Sequence, residues 1–166
     1  MKKIKVIFSG AQKGRSMVEM LGVLAIIGVL SIGALAGFNM AMLRYRTNEL
    51  ADTINKLFVL IETKAVNDDE ANGYISYQEA FGKTPQEGLP GVFTPEGNIG
   101  AGFEDFDDAQ YTGRCYYVTF NRLADIRICD ILEDLLAGTY KVLYCSGDES
   151  GYSEASIYNL ECKEYD

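Results

Sequence analysis

From Met20 to Leu43 the chain carries no charged residue, and Ser31 and Asn39 are its only clearly polar positions. Twenty-four such residues form a helix of roughly 36 Å at 1.5 Å per residue, enough to cross a hydrocarbon core of about 30 Å. A core helix of a soluble 166-residue chain would rarely be so uniformly apolar, so this run predicts a membrane segment. Charge gives its direction. Residues 1–14 hold Lys2, Lys3, Lys5 and Lys13 and no acid, whereas the remainder holds all 24 acidic residues and a side-chain net charge of −13. Lysines before the span and an acidic bulk after it predict an N-inside, C-outside orientation. The acidic bulk also argues against nucleic acid as a partner.

All four cysteines, Cys115, Cys129, Cys145 and Cys162, lie beyond the span. An even number in a small exported region predicts two disulfides. A zinc site is disfavoured, because the chain has no C-x-x-C pair and no histidine. The missing histidine also removes the usual general base, and no pair of carboxylates is placed for catalysis, so neither an enzyme nor a cofactor is expected.

A charged stretch directly abuts the apolar run: Lys13-Gly14-Arg15-Ser16-Met17-Val18-Glu19. A secretory signal peptide would use Ala34-Leu35-Ala36 as its cleavage site, but its basic region would then end in an acid. A plain single-span anchor gives no role to Gly14 or Glu19. A carboxylate at the edge of hydrocarbon is costly unless paired, and is a functional hypothesis by default.

This pattern resembles the leader of prepilins, the type IV pilin and pseudopilin family, on the basic leader, Gly14, Glu19, the uncharged span and Ala25-Ile26-Ile27-Gly28. The resemblance implies cleavage after Gly14 by a prepilin peptidase and methylation of the new amine at Arg15. Glu19, fifth in the mature chain, would then neutralise the amine of a neighbouring subunit during assembly. The family usually has Phe or Met where this chain has Arg15, a departure that bears on methylation more than on cleavage. A mispositioned subunit would leave two buried charges unpaired, which makes such a pair discriminating. Gly33 and Gly37 form a GxxxG that would let helices approach closely.

Beyond Arg44 and Arg46, residues Leu50, Ile54, Leu57, Phe58, Ile61 and Ala65 recur at helical spacing, so one helix is expected over residues 16–66. Residues 67–110 hold Pro85, Pro90, Pro95 and seven glycines, which predicts a long irregular connection with turns at Asn72-Gly73 and Glu96-Gly97-Asn98. Glu104-Asp105-Phe106-Asp107-Asp108 lacks the spacing of a calcium loop and is expected as a solvated acidic loop. Strands are expected at Arg114–Asn121, Tyr140–Cys145 and Ser153–Cys162, and a turn at Ser146–Gly151. A helix is expected at Leu123–Leu136, capped by Asn121 and stopped by Gly138. The tyrosines are read as sheet packing with hydroxyls at the surface.

The expected organisation is a cleaved cytoplasmic leader (1–14), a transmembrane and filament-core helix (15–43), its amphipathic continuation (44–66) and a globular head (67–166). The fold class is α+β and pilin-like, with the continuation packed on a small antiparallel sheet and a disulfide-stapled head. If the strands bearing Cys115 and Cys145 pair antiparallel, those two cysteines can face each other, and the faint likeness to a type IVb head implies Cys129–Cys162. The alternative is 115–129 with 145–162. The resemblance implies a subunit held in the inner membrane with its head outside, then an extracellular homopolymeric filament. Its partners would be copies of itself, the prepilin peptidase, an inner-membrane assembly platform and other pilins. The alternative is a pseudopilin of a secretion or DNA-uptake machine.

Overall fold

The computed structural model describes residues 17–67, 72–108, 111–147 and 153–159. The chain divides into two compact units, the first ending at Met40 and the second beginning at Ala41. Helix α1 (Met17–Asn67) runs without a break through this boundary.

The second unit is an α+β head. Along α1 the residues Leu43, Thr47, Leu50, Thr53, Ile54, Leu57, Phe58, Ile61 and Ala65 are buried, the stripe expected from spacing and continued by two threonines. Thr47 and Thr53 tolerate burial because their hydroxyls donate to the carbonyls of Leu43 and Glu49, each at 2.9 Å. The stripe packs on a five-stranded antiparallel sheet of β1 (Asn72–Ser76), β2 (Phe93–Asp108), β3 (Tyr111–Leu123), β4 (Tyr140–Gly147) and β5 (Ser153–Asn159). The strand order is β1-β2-β3-β5-β4. Ile99, Ala101 and Phe103 of β2, Val118 and Phe120 of β3, and Ala155 and Ile157 of β5 point into this core. Phe58 of α1 stacks on Tyr140 of β4 with ring centroids 4.3 Å apart.

Three sequence expectations are corrected. Residues 72–108 are two strands of the sheet and the two short helices between them rather than an irregular connection. Asn72 and Gly73 belong to β1, and two short helices follow, α2 (Tyr77–Phe81) and α3 (Pro85–Gly88). Ser76 and Glu79 form a capping box on α2, and Gly82 closes it in the left-handed region at φ 68°. Pro85 starts α3, where its missing N–H costs nothing. Pro95, Glu96 and Gly97 sit where the β2–β3 register shifts between Phe93 and Asn98, so the breakers mark a bulge inside a strand. There Glu96 pairs with Arg122, itself in the left-handed region at φ 56°.

The acidic run 104–108 is the far end of β2, with Asp105 opposite Arg114. Among the described residues no group of acids is placed to hold a metal ion. Lastly, helix α4 spans Arg127–Leu136, four residues later than expected at its start. Leu123 closes β3, and Asn121 does not cap the helix because its Oδ1 accepts from the Asn98 N–H at 2.9 Å. Ile126 stands at the N-cap without a side-chain cap, and the preceding Asp125 accepts from the Arg127 N–H at 3.0 Å. Gly138, at φ 82°, follows the helix end as expected.

The favoured disulfide pairing is also overturned. Cys129 of α4 is bonded to Cys145 of β4, with Cα atoms 5.7 Å apart. Strand β5 lies between β3 and β4, so Cys115 and Cys145 are not neighbours. Cys145 faces Ala155, which faces Phe120, and Cys115 lies five residues before Phe120, roughly 17 Å along the strand. A disulfide needs Cα atoms about 4.4–6.8 Å apart. Cys115 is itself disulfide-bonded, and Cys162 lies outside the described residues.

Candidate assembly site

The features that the sequence singles out for assembly gather on the first unit. Every described side chain from Met17 to Ala41 is exposed, among them Leu21 at 65%, Ile26 at 63%, Leu30 at 66% and Ile32 at 71%. Apolar side chains rarely form so continuous an exposed surface unless something other than water covers them. The helix is long and apolar enough to cross a membrane by length and composition. The polar Ser31 donates its hydroxyl to the carbonyl of Ile27 at 2.8 Å, so it adds no unmet donor to that surface.

Glu19 sits in the first turn of α1, where the helix dipole favours a negative charge. It makes no hydrogen bond or ion pair with any other described residue. Gly14 and Arg15, the expected cleavage site, lie outside the described residues. A Cβ added at Gly22, Gly28, Gly33 or Gly37 would meet nothing within 4 Å, so these positions are open to a partner helix.

In the head, one side chain ties three elements together, and sequence reasoning did not find it. Arg114 of β3 donates Nε and Nη2 to the Asp105 carboxylate at 2.5 and 2.7 Å, and Nη1 to the Ala65 carbonyl at 2.5 Å. Its guanidinium also lies 4.6 Å from the Phe103 ring centroid. A cation on one of the last carbonyls of α1 opposes the negative end of the helix dipole. The hydrogen bonds from Arg114 hold the Asp105 carboxyl below its ordinary range. A lone Arg between glycine and cysteine gives no sequence signal, because its partners lie 9 and 49 residues away.

No protein-family model, curated protein or solved structure matches this chain.

Proposed function

We propose that this chain is a structural subunit of a type IV pilus-like filament, processed after Gly14 and polymerised through α1. The observation that supports this best is one continuous helix with two characters. Its first part is exposed and uncharged from Met20 onward, preceded by an unpartnered Glu19, and its later part is the spine of a disulfide-bonded α+β head. In a membrane the apolar surface would be covered by lipid, and in a filament by the same surface of other copies. Glu19 would select the register by meeting the amine at Arg15 of its neighbour, since a misaligned copy strands both charges. A pseudopilin would share the leader, but a disulfide-bonded head suits a filament exposed outside the cell.

Two measurements test this reading. Mass spectrometry of the membrane form should find an N-terminus at Arg15, whereas one at Gly37 would mark a signal peptide and end the pilin assignment. Glu19→Ala should leave insertion and cleavage intact and cut the yield of sheared filaments by more than about tenfold, given the several kcal/mol of an unpaired buried charge. Normal filament yield would remove the docking role.

A further inference from the structure

The sheet has a second face, turned away from α1, and its chemistry differs from that of an ordinary solvent face. Following the register, one row across it reads Tyr74, Gly102, Tyr117, Tyr158 and, at its far edge, Lys141. The next reads Ser76, Gly100, Thr119, Ser156, and Asn98 and Asn121 stand opposite each other beyond it. Aromatic rings, hydroxyls and carboxamides thus lie in successive bands.

The two glycines set the shape. A Cβ on Gly100 would fall 2.4 Å from Tyr74 Cζ, and one on Gly102 would fall 2.4 Å from Tyr117 Cζ. Both rings therefore lie down over neighbouring backbone and offer a flat outer side. Tyr158 borders this surface, its centroid 6.0 Å from that of Tyr117 and its ring tilted by 41° to it. Beside the rings is a shallow cavity of about 230 Å³, bordered by Tyr74, Asn98, Thr119, Asn121 and Ser156. Drug-sized pockets run to ~300–1,000 Å³, so this one suits a smaller ring.

The polar groups of the cavity are oriented and unspent. Asn121 Oδ1 accepts from the Asn98 N–H, and Asn98 Oδ1 accepts from the Ile99 N–H, each at 2.9 Å. Because backbone N–H groups can only donate, they fix each oxygen inward and leave each NH2 free to donate. The Thr119, Ser156 and Tyr74 hydroxyls make no hydrogen bond to other described residues. Among the described residues that line the cavity none is charged.

We propose that this face binds a neutral saccharide, with a sugar ring lying on Tyr74 and its hydroxyls meeting the Asn98, Asn121, Thr119 and Ser156 side chains. A sugar ring has an apolar C–H side that matches a flat aromatic surface and a rim of hydroxyls that both donate and accept. Among the described residues lining the cavity an anionic headgroup or phosphate would find no cation, the nearest in the register being Lys141, beyond Tyr158 at the end of the tyrosine row. A docked strand would need unpaired backbone, whereas here β2 is paired with β1 and β3, and β3 with β2 and β5. The inference rests on the head alone and is independent of how the chain assembles.

The test uses the full chain in a sugar-free zwitterionic detergent, with saturation-transfer NMR to maltotriose, cellotriose and chitotriose. At least one should receive saturation, with trigalacturonate, their anionic counterpart, receiving none. Tyr74→Ala and Thr119→Val should each weaken binding by about tenfold or more, while Tyr74→Phe stays within about threefold. Thr119→Val keeps the shape and strand preference of the residue, so it reports on the hydroxyl even if Tyr74→Ala fails to fold. Silence with all three neutral trisaccharides overturns the proposal, as does binding that both substitutions leave unchanged in folded protein. Equal binding of trigalacturonate overturns the neutral specificity. Protection of this face only on self-association would assign it to a second copy instead.

Discussion

The two parts of α1 share one backbone conformation and have opposite surroundings. Residues 17–40 present Leu, Ile and Val on all sides with none of them buried, while residues 43–65 bury one stripe and expose charged residues such as Asp52 and Lys56. Helix formation requires only hydrogen bonds between residues four apart, so both parts satisfy it equally. Burial depends on what lies alongside. The second part has a sheet, whereas the first is exposed along its whole described length and, on the filament proposal, would be covered by lipid or by other copies of itself. The difference teaches that apolar helix surface contributes to the stability of the head only where a sheet lies beside it.

Substitution should separate the two parts sharply. Ile54→Ala, at a fully buried position, should destabilise the head by about 2–5 kcal/mol through lost burial and a cavity. Leu30→Ala, at a position 66% exposed, should leave head melting unchanged. Equal effects in thermal unfolding would break the contrast.

Removing the Cys129–Cys145 bond by the double change to Ser should cost the head about 3 kcal/mol, given the 16-residue separation. Helical circular dichroism from α1 should persist. Non-reduced peptide mapping should recover Cys129 linked to Cys145, and Cys115 linked to Cys162 as the remaining pair of the four. A Cys129 peptide linked elsewhere would displace α4 from β4.

Acid should loosen the head before it touches the apolar part of α1. Asp105, Asp125 and Glu79 all have carboxyls held below their ordinary range, by Arg114, by Arg127 and by Ser76 respectively. A depressed native value stabilises the fold above the unfolded-state value and is lost as pH falls through the native one. Head melting should therefore drop below about pH 4, and less so in Asp105→Asn. An identical acid profile for Asp105→Asn would show that the Arg114 tie contributes nothing to stability.

The smallest expected effect on the isolated subunit is that of Gly33→Leu. With nothing within 4 Å of that position, head melting should stay within about 0.5 kcal/mol of the parent. Filament yield should fall if the small face packs against a neighbour. Unchanged yield would remove Gly33 from the packing surface.

Legibility in the sequence followed the range of the interactions involved. Leu50, Ile54, Leu57, Phe58, Ile61 and Ala65 signalled their own burial, because helical spacing is written within a few residues. Strand β2 did not, because Pro95 and Gly97 look like loop residues until a partner strand turns them into a bulge. Gly100 and Gly102 look like breakers until the rings of Tyr74 and Tyr117 lie over them. The start of α4 was misplaced because Asn121, a good cap in isolation, is held by Asn98 across the sheet.

By itself, then, the sequence determined the long helix, the uncharged span, the position of Glu19 and the buried stripe, all of which depend on composition and short-range periodicity. Tertiary structure alone decided the strand order that puts β5 between Cys115 and Cys145, the Arg114 tie to Ala65 and Asp105, and the flat tyrosine face. Each of these joins residues far apart in the chain. The free energy of such contacts depends on which strand lies beside which, and no local pattern of residues encodes that choice.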